Sequence, residues 1–428
     1  MGSGRTAELT EAEITTAVAA QTEWMVDVLE RLVAAPTVLG AEEAGQVVMA
    51  QAFRDIGLAP RDVWLDAEAL RADPGSSPFS WDVSNKRNLV ATWEAGAEGG
   101  RSLILGGHVD VVPPAAPELW SSPPFHPRRD GDWLYGRGAG DMKAGLVAIA
   151  GAVRALRSLG VAPRADVHLQ SVVEEECTGN GALQCLLSGP VAEACVIAEP
   201  HADHIMTSQV GVLWAHVDIV GRPAHAAVAS AAGFNAIDAA STVSLALREL
   251  EAEMNAVKPP PFDVFAHPIN LNPGVIRGGD WTSTVAAQCT VSYRLALYPG
   301  QSPLDVAARV EAVVAAAAAA NPFLSENPPR VRYDGFRCEG FTLPPDEPVA
   351  VTLADTYRRV VGTEAPLAPT TATTDARHFV RRGIPAVCFG PLAEEIHGID
   401  ERVSIASMER AGQVLAVFVR DWCGLVSD

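Results

Sequence analysis

The sequence predicts an α/β protein with a mostly parallel central sheet that is interrupted by a smaller inserted α+β unit. Short apolar strand patterns alternate with helical patterns up to about residue 209 and again after about residue 342, which is typical of parallel sheets covered by helices. From about Val210 the pattern changes to longer strands with strict apolar–polar alternation. We therefore expect a main domain in two parts, residues 1–209 and 337–428, and an inserted domain over 210–336.

The first part begins with a helical pattern over Thr10–Ala35. Ser102–Val112 is rich in apolar residues and is bounded by a proline-rich turn, which predicts a buried strand. Apolar residues recur at helical spacing over Met142–Leu159. Two further short apolar runs, Val167–Val173 and Ala194–Ala198, predict strands that end directly before acidic residues.

The inserted unit follows the order strand, helix, strand, strand, helix, strand. Its main predicted elements are a strand at Val212–Gly221, a helix at Asn235–Ala256, a strand at Gln288–Leu297, a helix at Pro303–Ala320 and a closing strand at Pro329–Phe336. The α/β pattern then resumes with a helix at Val349–Val361 and a strand at Pro385–Phe389. This order fits one compact α+β domain.

The composition limits the possible functions. The 428 residues include 32 Lys+Arg and 52 Asp+Glu, a net charge of −20, with 48% apolar residues. Such acidity argues against binding to nucleic acid or to an anionic membrane surface. The polar N-terminus shows no signal peptide and no apolar run is long enough to span a bilayer. Seven cysteines without CxxC pairing favour free buried thiols and a cytoplasmic protein.

His108 and Asp110 form a His-x-Asp pattern inside a predicted buried strand. Alternation along a strand would place both side chains on one face. One interpretation is a core histidine paired with a carboxylate. The other makes His108 a metal ligand and Asp110 the carboxylate that orients it.

Asp141 stands in the glycine-rich segment GRGAGDMKAG, just before a predicted helix. By itself it fits a helix N-cap. The glycines also allow the backbone to approach a ligand closely. A phosphate loop is disfavoured because the spacing matches neither GxGxxG nor GxxxxGK[ST].

Other acidic and histidine side chains lie at the ends of predicted elements. Glu174, Glu175 and Glu176 follow one strand, Glu199 follows another, and His397 lies in a polar loop. Solvated surface positions would explain each of them separately. Open α/β sheets, however, place their sites at the carboxyl ends of strands, and adjacent carboxylates are best tolerated beside a cation.

Together these residues supply two histidines and several carboxylates, a set that suits two metal ions about 3.5–4 Å apart. Nucleophilic alternatives have less support. The chain has no GxSxG motif. Cys177 follows three carboxylates, which would raise its pKa and so disfavour a reactive thiolate.

Seven motifs occur in a fixed order along the chain: GGHVDVVP, WLYGRGAGDMKAG, VVEEECTGNGA, AEP, VGRPAHA, TTDARHF and EEIHGIDERV. In this combination the sequence resembles the co-catalytic zinc aminoacylase/exopeptidase family, which includes acetylornithine deacetylase, succinyl-diaminopimelate desuccinylase and glutamate carboxypeptidase. The resemblance runs from about Glu23 to Asp421. It implies a zinc-exopeptidase-like catalytic domain and a ferredoxin-like inserted lid and dimerisation domain.

The resemblance also implies a set of site residues. His108 and Glu199 would hold one metal ion and Glu176 and His397 the other, while Asp141 and a water or hydroxide would bridge them. Glu175 would be the general base. A cis peptide would follow Asp141, between it and Met142.

The inserted domain carries further implied residues. His225 looks like the histidine that reaches the active site of a partner subunit and stabilises the oxyanion there, which implies a homodimer formed through this domain. Substrate contacts are implied for Arg294 and Asn272, for Thr373 and Thr374, and for Arg377; Gly274 belongs to the same lid motif as Asn272.

We therefore expect a metal-dependent hydrolase that cleaves the amide bond of an N-acyl amino acid or similar small N-acylated amine. The metal ions would be zinc, with cobalt or manganese possible. A dipeptide, an N-carbamoyl compound or an N-formyl compound is an alternative substrate, because acyl selectivity depends on pocket shape. A metal-binding protein without catalysis is the non-enzyme alternative.

Overall fold

The computed structural model describes residues 9–428, so residues 1–8 of the polar N-terminus lie outside the described part. Elements before residue 210 alternate between strands and helices. The helices are α1 Glu11–Ala19, α2 Thr22–Ala34, α3 Glu43–Asp55, α4 Ala67–Ala72, α5 Ala144–Ser158 and α6 Asn180–Ser188. The strands are β1 Arg61–Trp64, β2 Arg87–Trp93, β3 Leu103–His108, β4 Arg128–Asp130, β5 Trp133–Tyr135, β6 Val161–Pro163, β7 Val167–Val172, β8 Ala194–Ile197 and β9 Ile205–Gln209.

The elements that follow complete the inserted unit and then the main domain. Residues 210–336 contain β10 Gly211–Val220, α7 Ala229–Ala232, α8 Ala236–Asn255, β11 Leu271–Gly278, β12 Gln288–Leu297, α9 Pro303–Ala319, α10 Pro322–Glu326 and β13 Arg330–Arg332. Residues 337–428 contain β14 Arg337–Cys338, β15 Phe341–Thr342, α11 Pro348–Val361, β16 Leu367–Thr370, α12 Ala376–Arg381, β17 Ala386–Cys388, β18 Ala393–Glu394, β19 Arg402–Ser404, α13 Ile405–Cys423 and β20 Leu425–Ser427.

The large sheet has the strand order β1-β2-β7-β3-β8-β17-β9-β15, and β16 also pairs with β9. Its central strands β7, β3, β8 and β17 are parallel, whereas β1, β2 and β15 pair in antiparallel fashion. The predicted α/β class is confirmed. The parallel centre is the part that matters for the site, because the carboxyl ends of β7, β3 and β8 lie side by side.

The inserted unit forms a separate sheet with the order β11-β12-β10-β13, and its main pairs are antiparallel. In this order the first strand, β10, lies between the third and the fourth, as in a ferredoxin-like fold. Its helices α8 and α9 pack on the sheet and on each other. Strand β11 is at the edge and is exposed over most of its length.

Two large hydrophobic clusters support this division. One gathers side chains from Ile14 to Met206 and from Phe341 to Leu425, and the other gathers side chains from Val210 to Leu324. The division into 1–209, 210–336 and 337–428 stays a prediction. None of the helices within residues 9–428 combines the length and the hydropathy that crossing a bilayer requires.

Three local predictions differ from the structure. The helix predicted over 10–35 is two helices, because Gln21 N–H bonds to Val18 O in a tight turn before α2 starts. Strand β3 ends at His108, since Val111 N–H turns to Thr37 O. Helix α5 starts at Ala144 rather than Met142 and is preceded by an irregular turn, so Asp141 is not its N-cap.

Candidate active site

Three adjacent strands deliver side chains to one edge of the large sheet. His108 is the last residue of β3, Glu175 and Glu176 follow β7, and Glu199 lies two residues beyond β8. These strands are neighbours in the order β7-β3-β8. The parallel register therefore brings together residues that are up to 91 positions apart, from His108 to Glu199.

His108 is oriented by its own strand end. Its Nδ1 lies 2.9 Å from the backbone oxygen of Asp110, so Nδ1–H is the donor and Nε2 is the nitrogen that faces the other site residues. Nε2 faces three carboxylates, at 3.2 Å from Asp141 Oδ1, 3.8 Å from Glu199 Oε1 and 3.9 Å from Glu175 Oε2. Burial would lower the pKa of His108, but the hydrogen bond with Asp141 and the neighbouring carboxylates raise it well above its usual range, so positive charge is favoured here and a bound cation could supply it.

The Asp110 carboxylate contacts both His108 and the glutamate loop. Its Oδ1 lies 3.8 Å from His108 Nδ1, while its two oxygens accept hydrogen bonds from the backbone N–H of Glu175 (3.3 Å) and of Glu176 (3.1 Å). Because β3 ends at His108, Asp110 is outside the strand and turns toward the neighbouring loop. Asp110 thus orients the glutamate loop with its carboxylate and His108 with its carbonyl.

Asp141 connects the two histidines. One of its oxygens, Oδ1, faces His108, and the other, Oδ2, lies 3.3 Å from His397 Nε2. His397 Nε2 also lies 3.2 Å from Glu176 Oε2. The peptide bond from Asp141 to Met142 is cis, as the resemblance implied.

The donor atoms form two groups that share Asp141. His108, Asp141 and Glu199 make one group and Asp141, Glu176 and His397 the other, with the donor atoms of each within 4.8 Å of one another. Imidazole nitrogen and carboxylate oxygen are donors that zinc and related divalent ions accept. The residues present therefore fit two divalent cations that share one carboxylate.

The electrostatics show how crowded the carboxylates are. Burial, with the charge of neighbouring carboxylates, holds the pKa values of Glu175 and Glu199 well above their usual range. Burial alone would lower the pKa of His397, but the carboxylate of Glu176 and the hydrogen bond with Asp141 raise it to about 11. Positive charge is thus strongly favoured at this edge of the sheet, and bound cations would supply it.

The three consecutive glutamates are not a solvated surface. Glu174 and Glu175 are buried. Glu174 has backbone φ of 65°, in the left-handed region, and its carboxylate accepts a hydrogen bond from Trp81 Nε1 and pairs with Lys86 at 3.1 Å. Lys86 also pairs with Glu42. A buried ion network therefore anchors the start of the glutamate loop.

The predicted substrate residues of the inserted unit lie next to each other. Asn272 of β11 is paired in register with Arg294 of β12. Arg294 donates from Nη2 to the backbone oxygen of Thr371, at 3.2 Å, and so connects the inserted sheet to the loop after β16.

The predicted residues of that loop are engaged with protein groups. Thr373 Oγ1 donates to Val210 O, and Thr374 bonds to Gln209 through its N–H and hydroxyl. Arg377 donates to the carbonyls of Thr374 and Thr178. In this conformation Thr374 and Arg377 hold the loop, and a direct role in substrate binding stays a prediction.

His225 does not join the cluster of its own chain. It is exposed, and its Nδ1 accepts a hydrogen bond from Ala227 N–H. Among residues 9–428 it forms no ion pair with any site carboxylate. This placement leaves its imidazole available to another molecule.

Sequence reasoning missed three residues that hold the site together. Arg137 and Glu401 form a buried pair beside Asp141, and Lys86 supports Glu174. Arg137 and Glu401 occur in the quoted motifs, close to Asp141 and His397, and this proximity is the only signal that could have singled them out. The seven cysteines are free and buried, as predicted, and burial raises the pKa of Cys177 well above its usual range.

The comparisons with known proteins agree with this geometry. A profile described as "Peptidase family M20/M25/M40" matches residues 104–421. The chain belongs to this peptidase family. A relative in the M20/M25/M40 family, the N-formyl-4-amino-5-aminomethyl-2-methylpyrimidine deformylase of Bacillus subtilis (strain 168), is 30% identical over 75% of this chain and 79% of its own.

Two further matches widen the M20/M25/M40 comparison. The succinyl-diaminopimelate desuccinylase of Dinoroseobacter shibae is 27% identical and covers 83% of this chain and 92% of its own. A solved dipeptidase of Saccharomyces cerevisiae superposes with a TM-score of 0.80 at 13% identity, over 97% of this chain and 98% of its own, which shows a shared fold. The protein is a metal-dependent amide hydrolase of this family.

Proposed function

We propose that this hydrolase removes the acyl group from a small N-acylated amine or N-acyl amino acid, with two divalent cations as its cofactor and zinc as the first choice over cobalt or manganese. The observation that carries the proposal is the placement of His108 and His397 on opposite oxygens of Asp141. Glu175, whose Oε2 lies 3.9 Å from His108 Nε2, completes the arrangement.

The proposed ligand sets are the two donor groups that share Asp141. His108 and Glu199 would complete one, and Glu176 and His397 the other. When bound, the two cations lower the pKa of a water molecule and polarise the amide carbonyl.

Glu175 is the proposed general base. It takes a proton from the attacking water and gives it to the leaving amine. Its Oε1 is buried and has no hydrogen-bond partner among residues 9–428, so this oxygen is free for a proton. The Asp110 carboxylate holds the N–H groups of Glu175 and Glu176 and thereby fixes which side chain points to the water and which to a metal ion.

The substrate class follows from the relatives. The names of these two relatives describe the removal of an N-formyl group and of a succinyl group. We propose that Arg294 and Asn272, adjacent on β12 and β11, contact the part of the substrate away from the scissile amide. Arg294 is half-buried, and its hydrogen bond to Thr371 uses one guanidinium N–H and leaves other donors for an anionic group.

A homodimer through the inserted domain is also proposed. Strand β11 is an exposed sheet edge that carries Val275 and Ile276, and Trp281 beside it is 72% exposed. Edges of this kind pair readily with a second strand. His225, also exposed, would then reach the active site of the second copy and stabilise the oxyanion. His225→Ala should lower turnover while metal content is unchanged, and sedimentation should give twice the chain mass of 45.0 kDa; loss of metal or a monomer with full activity would contradict this.

The central experiment measures amine release from N-formyl, N-acetyl, N-succinyl, N-carbamoyl and long-chain N-acyl compounds and from dipeptides. The N-formyl aminomethylpyrimidine is included. Native protein, chelated protein, and chelated protein resupplied with zinc, cobalt or manganese are compared. We expect metal-restorable cleavage of one N-acyl class. Cleavage that survives complete metal removal, or preferred cleavage of dipeptides, would refute the proposal.

A further inference from the structure

The carboxylate of Glu401 is bound from four directions inside the protein. Its Oε1 accepts hydrogen bonds from the backbone N–H of Gly140 (2.9 Å) and of Asp141 (3.0 Å). Its Oε2 accepts from Gly138 N–H (3.0 Å) and from Arg137 Nη1 (2.5 Å). All three backbone donors belong to the turn that presents Asp141 to the two histidines.

Arg137 extends the same contact to the second histidine loop. Its Nη2 donates to the backbone oxygen of Gly398, 3.1 Å away, and Gly398 directly follows His397. Both Arg137 and Glu401 have side chains that are 1% exposed. One buried ion pair therefore connects the backbone of Asp141 with the backbone next to His397.

Burial of the pair of Arg137 and Glu401 is not by itself evidence of a role in general stability. A buried ion pair is often replaceable by apolar side chains without loss of stability, because desolvation offsets the attraction between the charges. The turn before α5, however, is irregular, with Gly138 at φ 81°, and the N–H groups of Gly138, Gly140 and Asp141 bond to the Glu401 carboxylate. A carboxylate with two acceptor oxygens satisfies three of them at once.

We propose that Glu401 and Arg137 are positioning residues for the metal centre. Glu401 fixes the position of the Asp141 carboxylate, which both cations would share, and Arg137 aligns the loop of His397 with Asp141. This inference rests on the two-cation assignment made above. It predicts an asymmetry. Glu401 acts on Asp141 and so on both ions, whereas Arg137 alone reaches the His397 side.

The test measures metal affinity directly, by titrating the chelated full-length protein with zinc against a chromophoric chelator and with cobalt by absorption. Glu401→Gln should lower the affinity for each of the two ions by about tenfold or more, as is usual when a group that orients a metal ligand is removed. Arg137→Lys keeps the charge beside Glu401, but the shorter side chain cannot bond to Gly398 in the same way. It should therefore lower the affinity for one ion only, the ion on the His397 side. Leu353→Ala, a buried core change in the same domain, is the control for lost stability.

The possible outcomes separate the inference from the assignment beneath it. If the unmodified protein binds fewer than two ions, the two-cation assignment fails and this inference falls with it. If the unmodified protein binds two ions and Glu401→Gln binds both with unchanged affinity, only the positioning role is overturned. The same conclusion follows if Leu353→Ala weakens metal binding as much as Glu401→Gln does. Should Glu401→Gln not fold, Arg137→Lys decides, since equal weakening of both ions or of neither would overturn the asymmetry.

Discussion

The two halves of the candidate metal centre share Asp141 but hold their histidines in different ways. His108 ends a central strand, its side chain is 1% exposed, and its Nδ1–H bonds to the carbonyl of Asp110. His397 lies in a loop with φ of 60°, and its side chain is 50% exposed. The first half is organised by the sheet itself, and the second depends on contacts that hold a loop in place.

This difference shows how one centre can combine rigidity with access. A ligand on a packed strand needs few other contacts to stay in position. A ligand on an exposed loop needs supporting contacts, here the bond from Arg137 to Gly398. We therefore expect the half with His397 to exchange its ion more easily than the half with His108.

The largest expected effect concerns a residue of the buried half that is not assigned as a ligand. Glu175→Gln should lower kcat by about 10³-fold, because the amide can neither accept nor deliver a proton. Both ions should remain, as measured by elemental analysis after gel filtration. Glu176→Gln, the neighbouring change, is the control and should lower the metal content; near-native turnover in Glu175→Gln would exclude it as the base.

Changes at the two histidines test the comparison itself. His397→Ala should release one ion and keep the other, because the His108 group remains complete. His108→Ala should lose metal and also stability, since it leaves the buried carboxylate of Glu199 without its partner. The number of bound ions is measured as metal content, and stability is measured by thermal unfolding of the apo and zinc-loaded variants. Equal behaviour of the two variants would show that burial does not distinguish the halves.

The last prediction concerns stability outside the metal centre and compares two neighbours in the sequence. Lys86 is buried between Glu42 and Glu174, whereas Arg87 pairs with the exposed Glu43 and Asp62. Lys86→Met should lower the free energy of unfolding by about 3–5 kcal/mol, because it leaves buried carboxylates uncompensated.

Arg87→Met is the matched control for Lys86→Met and should cost about 1 kcal/mol or less. Chemical denaturation measures both variants. A similar loss in the two would mean that the buried network does not anchor the glutamate loop.

The periodicity of apolar residues predicted the helices and strands well, but it predicted their ends less well. The alternating run Gln288–Leu297 is a strand with the predicted bounds, because a half-buried strand must alternate. Periodicity could not predict that β3 ends at His108, since Val109, Val111 and Val112 continue the apolar pattern. It also could not separate α1 from α2, where no glycine or proline marks the break.

The individual residues of the candidate site were predictable, but the hydrogen bonds and ion pairs that connect them were not. Histidines and carboxylates at strand ends were visible in the sequence, and the family motifs grouped them. The hydrogen bonds from the glutamate loop to the Asp110 carboxylate were not visible, because they depend on how the chain leaves β3. Glu401 is 260 residues from Asp141, and no local pattern connects the two.

The sequence by itself determined the α/β class, the ligand types and the order in which they occur, because these follow from hydrophobic periodicity and from side-chain chemistry. Only the tertiary structure decided which backbone groups hold those side chains. The parallel register brings His108, Glu175 and Glu199 to one edge of the sheet, and the buried pair of Arg137 and Glu401 aligns two distant loops. Such contacts arise from packing between segments far apart in the chain, and local sequence carries little information about them.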